Sequence, residues 1–163
     1  MSLAAEIVAE LTRRHLTVAI AESLTGGLLV AELISVPGAS AVVRGGVVAY
    51  DTALKHSILG VDASLLAAHG AVHPDVAGEM AIGVRRVCAV GGESASIGLS
   101  TTGVAGPDPQ DGQAVGTVYV GISTDNGLSV LSLRLDGDRQ AIRTAVVSES
   151  LSGLAHILAE TQS

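Results

Sequence analysis

The sequence predicts an α/β fold, a three-layer αβα sandwich with a mixed, mostly parallel sheet and a C-terminal antiparallel hairpin followed by a long helix. Short apolar runs alternate with segments of helical apolar spacing, an order typical of a sheet covered by helices. Asn126-Gly127 separates two apolar runs, which is a strong signal of a β-hairpin. Asp138 then precedes a segment that keeps helical spacing almost to the C-terminus.

The elements of the first part follow from caps, spacing and apolar runs. We expect Ser2 to cap a first helix that runs to about Arg14, because its apolar residues form one stripe. A strand at 17–21 follows. The helix expected at 26–35 is apolar nearly all round, so burial on several sides is expected. The continuous apolar run at 45–50 predicts a second, fully buried strand.

The later elements are predicted by the same signals. Asp51 is expected to cap a short helix, and Asp62 a second one that ends at Gly70. Pro74 opens a longer helix to about Val90. Further apolar runs predict strands at 94–100, 115–123 and 128–135. No repeat or linker interrupts this order, so a single domain spanning 1–163 is expected.

Composition excludes several classes of function. The formal net charge of −7 opposes nucleic-acid binding, which needs a basic face, and two tyrosines without Phe or Trp offer no stacking platform. The single cysteine, Cys88, excludes an internal disulfide framework and fits a reducing compartment. No apolar run reaches the length of a membrane span, and the N-terminus lacks the order of a signal peptide. We therefore expect a soluble cytoplasmic protein with no nucleic-acid or membrane partner.

The turn Glu22-Ser23-Leu24-Thr25-Gly26-Gly27 lies between the first strand and the apolar helix. Glycines permit a sharp turn, and a helix that starts there points free N–H groups into it. The turn suits either anion binding or a hydroxyl nucleophile beside oxyanion donors. Thr25, Gly26 and Gly27 are candidates to supply those donors. No chemical role is assigned to Glu22.

Lys55 is the only lysine in a chain with eight arginines. A serine is a poor nucleophile until a base takes its proton, and none of the five histidines lies in a recognisable catalytic motif. A neutral lysine can be that base. Lowering its pKa from about 10.4 to about 7.4 takes roughly 4 kcal/mol, which burial and nearby helix N-termini supply. The hypothesis is that Lys55 activates Ser23.

Tyr50 and Thr52 flank the residue that caps the lysine helix. Tyr50 and Lys55 hold positions that pack side by side at a helix start, so Tyr50 is a candidate to relay the proton or hold the amine. The alternative is a lysine stem lying over a surface ring. Thr52 is a rival nucleophile, because S/T-x-x-K spacing places its hydroxyl one turn from the amine. Ser23 is favoured over Thr52.

A second glycine-bearing turn, Thr102-Gly103-Val104-Ala105-Gly106-Pro107, follows a predicted strand. Its N–H groups and threonine hydroxyl either contact a phosphate or carbonyl oxygen or form an ordinary loop. Arg139 and Arg143 share one helix face, where they either clamp a phosphate or lie on the surface. His69 and His73 have no partner motif, so no metal site is expected.

Seven segments, in order and across nearly the whole chain, match one family. They are Ala21-Glu-Ser-Leu-Thr-Gly-Gly27, Gly45-Gly-Val-Val-Ala-Tyr50 with Lys55, Leu59-Gly-Val61, His69-Gly-Ala-Val72, Thr102-Gly-Val-Ala-Gly-Pro107, Val115-Gly-Thr-Val-Tyr119 and Gly137-Asp-Arg139. Each motif is modest, and their order makes the match specific. The chain resembles a stand-alone CinA C-terminal domain of the nicotinamide-nucleotide amidohydrolase family.

The resemblance implies hydrolysis of the carboxamide of nicotinamide mononucleotide, giving nicotinate mononucleotide and ammonia in pyridine-nucleotide recycling. The family serine corresponds to Ser23 and the family lysine to Lys55, with Tyr50 beside them. The family's glycine turn corresponds to 102–107 and its arginine to Arg139. The resemblance also implies no metal, no organic cofactor and a homo-oligomer, a dimer or larger.

The sequence departs from the family pattern at two places. Leu24 stands where the family often has cysteine, and Asp51-Thr52 stands where it usually has Ser-Asn before the lysine helix. Three hypotheses follow. The first is the amidase, the second is a catalytically weak or inactive pyridine-nucleotide-binding module, and the third is a hydrolase of another small amide.

Overall fold

The computed structural model describes residues 1–161, and the expected domain span of 1–163 runs two residues beyond them. The elements are α1 (Leu3–Arg13), β1 (Val18–Glu22), α2 (Leu28–Ile34), a 3-10 turn (Ala39–Ala41), β2 (Val43–Val48), α3 (Thr52–Ser57), α4 (Ala63–His69), α5 (Pro74–Val87), β3 (Ile97–Gly103), β4 (Thr117–Thr124), β5 (Gly127–Arg134) and α6 (Arg139–Glu160). The predicted caps Ser2, Asp51, Asp62 and Asp138 each accept a backbone N–H of the helix they precede. Their short polar side chains replace the partner that a first-turn amide lacks.

One sheet of five strands has the order β2-β1-β3-β4-β5. The β2–β1 and β1–β3 pairs are parallel, whereas β3–β4 and β4–β5 are antiparallel. The parallel part therefore covers three strands, and the predicted C-terminal hairpin forms the rest. Because β1, β2 and β3 run in one direction, the chain segments that follow them meet at one edge of the sheet, where α/β folds bind ligands.

Helices cover both faces, which confirms the predicted αβα sandwich. On one face α1, α2 and α6 pack on a core that includes Ile20, Leu99 and Val120. On the other face α5 lies directly on β3 and β4. Glycine makes this approach possible, because a Cβ at Gly98 would lie 1.9 Å from the carbonyl oxygen of Ala81. No helix within residues 1–161 is both long and apolar enough to cross a membrane.

Two expectations about burial are wrong. Strand β2 is an edge strand with Gly46 and Val48 exposed, not a fully buried one. Helix α2 buries only Leu29 and Leu33, and Ile34 is 58% exposed. In both segments the apolar residues lack a period, so the sequence gives no sign of which side is covered. The third predicted strand starts later, at Ile97, and ends later, at Gly103, so Thr101 and Thr102 lie inside it.

Candidate active site

The turn at 23–27 follows the central parallel strand and displays Ser23 at the sheet edge. Gly26 and Gly27 adopt φ values of +58° and +102°, a region that glycine enters without steric cost. The backbone N–H of Ser23 donates to the carbonyl oxygen of Thr101 at 3.1 Å. These features fix Ser23 between β1 and β3, with 7% of its surface exposed.

The side chain of Glu22, the last residue of β1, reaches the start of α2, a contact that the sequence does not predict. Its buried carboxylate accepts the backbone N–H of Leu29 at 2.9 Å and that of Val30 at 3.1 Å. These two N–H groups point out of the first helical turn and attract negative charge. The N-terminus of α2 is therefore filled by a side chain of the protein itself, and a role for it in anion binding is excluded.

Lys55 contacts Ser23 from the last turn of α3. Its side chain is fully buried, and its Nζ lies 3.0 Å from Ser23 Oγ and 2.7 Å from the carbonyl oxygen of Ala49. Burial lowers the pKa of Lys55 to about 8, although the carboxylates of Asp51 and Asp111 oppose this shift. A neutral amine at this distance is within reach of the serine proton.

Tyr50 does not hold the amine, which corrects the expected contact between the two side chains. The hydrogen bonds of Lys55 Nζ go to Ser23 and Ala49. Tyr50 is 59% exposed, and its phenol oxygen accepts a hydrogen bond from Arg139 Nη2 at 2.9 Å. The polar ends of the two side chains therefore have separate partners.

The rival hydroxyl of Thr52 is not joined to the amine by any hydrogen bond among residues 1–161. Thr52 is the first residue of α3 and is half-buried. The geometry therefore pairs Lys55 with Ser23 and leaves Thr52 apart.

A pocket of about 420 Å³ opens over Ser23. Seven residues singled out from the sequence line it: Ser23, Tyr50, Thr102, Gly103, Ala105, Gly106 and Arg139. The segments at 71–72 and 108–110 also line it, and neither has a site role predicted from the sequence. Residues 69–72 matched a family segment, but their position beside Thr102 is a tertiary contact that no spacing rule reveals.

Thr25, Gly26 and Gly27 do not line the pocket, so the expectation that they contact substrate is not supported by their position. The Thr25 side chain is fully buried and its hydroxyl pairs with that of Thr101 at 2.8 Å. The N–H of Gly26 donates to the carbonyl oxygen of Ser23. The turn uses these groups to hold its own shape.

The N–H groups of Leu24 and Ala105 are better placed as oxyanion donors. Both residues line the pocket, and neither N–H has a hydrogen-bond partner within the described part of the chain. The N–H of Val104, by contrast, donates to Thr117. Unpaired N–H groups beside a nucleophile are what a developing oxyanion requires.

Two arginines from the first turns of α6 hold the two glycine turns in place. Arg139 donates from Nη1 to the carbonyl oxygen of Gly106 at 2.7 Å and lines the pocket. Arg143 donates from Nε to the carbonyl oxygen of Leu24 at 2.8 Å. Arg139 therefore brings a guanidinium to the pocket lining, which also includes the acidic residue Asp108.

The side chains of His69 and His73 contact each other, and His73 also binds the backbone. The rings of His69 and His73 stack with centroids 4.4 Å apart, and His73 Nδ1 accepts the backbone N–H of Asp75. Within residues 1–161 there is no group of three or more His, Cys, Asp or Glu side chains that would hold a metal ion. Burial raises the pKa of Cys88, the single thiol.

The model of the CinA C-terminal domain matches residues 1–158. The chain belongs to the CinA C-terminal domain family. A CinA-like protein from Frankia casuarinae is 48% identical over 97% of this CinA domain, and one from Anaeromyxobacter sp. is 46% identical over 92% of it. The chain spans only 35% and 36% of the length of these two relatives.

Solved structures show the same fold. A CinA superfamily protein from Klebsiella pneumoniae superposes with a TM-score of 0.90 at 30% identity, covering 97% of this CinA domain and 96% of that chain. A competence/damage inducible protein from Agrobacterium tumefaciens gives a TM-score of 0.87 at 34% identity, covering 94% and 92%. The predicted family and fold class are both confirmed.

Proposed function

We propose that this domain hydrolyses the carboxamide of nicotinamide mononucleotide to nicotinate mononucleotide and ammonia. The observation that carries the proposal is the contact of 3.0 Å between Ser23 Oγ and the Nζ of the fully buried Lys55. Ser23 lines the pocket, whereas Lys55 does not. Because the pKa of Lys55 is about 8, part of the protein population carries a neutral Lys55 near pH 7, and this neutral amine can act as the base.

The reaction proceeds through an acyl-enzyme. Lys55 takes the proton of Ser23, and Oγ attacks the amide carbon while the carbonyl oxygen receives N–H bonds from Leu24 and Ala105. The Lys55 ammonium returns the proton to the amide nitrogen, which leaves as ammonia. Water then gives a proton to Lys55 and attacks the acyl carbon. The Lys55 ammonium returns that proton to Ser23 Oγ as nicotinate mononucleotide leaves, which restores the enzyme. No metal or organic cofactor takes part.

The pocket suits a mononucleotide in size, and Arg139 in its lining offers a guanidinium for the phosphate. Its volume of about 420 Å³ falls within the range of small-molecule sites. Leu24, Val72 and Val104 give it an apolar wall for the pyridine ring. Arg139 stands at the mouth beside Tyr50, where a guanidinium suits the phosphate.

Ammonia release from nicotinamide mononucleotide tests the proposal. Ser23→Ala and Lys55→Met should each lower the rate by about a thousandfold or more, because nucleophile and base act as one unit. Thr52→Ala is the matched control and should keep most of the rate. Full activity in Ser23→Ala together with loss in Thr52→Ala would overturn the assignment.

A second candidate is a catalytically weak or inactive module that binds a pyridine nucleotide. Asp51-Thr52 at the start of the lysine helix, where the family usually has Ser-Asn, favours this reading. Calorimetry decides between the two: binding of the mononucleotide without ammonia release supports the module, and turnover supports the amidase.

We further propose that the domain acts in the cytoplasm as a homo-oligomer, a dimer or larger. The edge strand β2 and the residues around it expose apolar side chains, among them Leu28, Val48 and Tyr50. An unpaired strand edge with apolar neighbours is a surface suited to association. Light scattering on the purified protein tests this, and a monomer at high concentration would contradict it.

A further inference from the structure

The segment 107–113 forms one side of the pocket and has few ties to the rest of the domain. Residues 107–110 line the pocket and are exposed. Inside the segment, the backbones of Gln110 and Gln113 exchange two hydrogen bonds. For the part of the chain that the structure describes, one hydrogen bond joins the segment to another element: the N–H of Ala71 donates to Asp111 Oδ2 at 3.1 Å.

Ala71 is held from two directions. Its carbonyl oxygen accepts a hydrogen bond from the buried hydroxyl of Thr102 at 2.7 Å, and its N–H is bound by Asp111. Ala71 and Val72 line the pocket over Ser23. Strand β3 and the 107–113 segment therefore position this wall together. Strand β3 binds the carbonyl oxygen of Ala71, and the segment binds its N–H.

The local backbone is shaped for this contact. Asp111 has a φ of +51°, a left-handed conformation that aspartate tolerates better than most residues. A Cβ at Gly70 would lie 2.4 Å from Asp111 Cγ, so the carboxylate rests directly on glycine backbone. The two loops fit each other only with glycine at position 70.

We propose that Asp111 is a positioning residue, which locks the 107–113 segment to the wall at Ala71 and thereby shapes the pocket for its substrate. The proposal rests on the amidase function above. Asp111 acts on binding more than on chemistry, because Ser23 and Lys55 are held by Thr101 and Ala49, which it does not contact. Its negative charge also raises the pKa of Lys55, but Asp111→Ala and Asp111→Asn remove that charge alike, so the difference between the two variants reports the contact with Ala71.

Two variants separate the contact from the charge. Asp111→Ala removes the acceptor, whereas Asp111→Asn keeps an oxygen in the same place and tolerates the same backbone conformation. For Asp111→Ala we expect KM for nicotinamide mononucleotide to rise about tenfold, the usual cost of one charge-assisted hydrogen bond, with kcat changed less than about threefold. Asp111→Asn should stay within about threefold of the wild type in both constants.

Hydrogen–deuterium exchange measures the contact between Ala71 and Asp111 independently of catalysis. In Asp111→Ala the peptide that contains Ala71 should exchange faster than in the wild type, and in Asp111→Asn it should exchange at nearly the wild-type rate. If the wild type releases no ammonia, the proposed function fails while exchange still decides the contact. Equal exchange in all three proteins overturns the contact, and faster exchange with an unchanged KM overturns the positioning role.

Discussion

The free energy of unfolding should depend on pH through the titration of Lys55. Lys55 is the only lysine of the sequence, and its side chain is fully buried. Burial lowers its pKa from 10.5 to about 8. The folded pKa lies below the unfolded pKa, so the folded state bears the cost of a buried ammonium below pH 8. That cost falls as the pH rises from about 8 to about 10.5. The difference between the two pKa values corresponds to about 3 kcal/mol of folding free energy.

Lys55→Met removes the charge and keeps a side chain of similar length. Urea unfolding of both proteins between pH 7 and pH 10 gives the difference in their free energies of unfolding, in which groups common to both cancel. The wild type should gain about 2.5 kcal/mol relative to the variant over this range. A difference that stays constant would mean that Lys55 titrates alike in both states, and the argument for a neutral base near pH 7 would fail.

Three further predictions concern rate, substrate contact and stability. The rate of ammonia release at saturating substrate should rise with pH through about 8 and then level off, since only neutral Lys55 accepts the serine proton, and a flat profile would contradict this. Arg139→Ala should raise KM about tenfold for nicotinamide mononucleotide but little for nicotinamide riboside, which lacks the phosphate; equal losses would remove Arg139 from phosphate binding. Glu22→Ala should lower the free energy of unfolding in urea by about 2–3 kcal/mol because one buried and one partly buried N–H group lose their acceptor, and an unchanged midpoint would refute that.

The pairing of Ser23 with Lys55 was within reach of the sequence because local rules fix both residues. A strand followed by glycines places Ser23 at the sheet edge, and the Asp51 cap sets where the lysine helix begins. Two parallel neighbouring strands then bring the two segments together. The same logic placed Arg139, which directly follows the cap Asp138.

Other features depend on tertiary contacts that leave no periodic signal. The bond between Ala71 and Asp111 joins two irregular loops far apart in the chain. The phenol of Tyr50 turns to Arg139 because α6 returns to the site at the end of the chain. The exposure of α2 and β2 does not follow from the sequence, because an apolar run does not indicate which other elements cover it.

Titration of Lys55 by NMR tests the central claim most directly. Labelling with ¹³C-lysine gives one side-chain signal, because the sequence has one lysine. The account predicts that the ¹³Cε shift titrates with a pKa of about 8 in the folded protein. A pKa near its ordinary value of 10.5 would contradict the account, because Lys55 would then be an ammonium at neutral pH and unable to take the proton of Ser23.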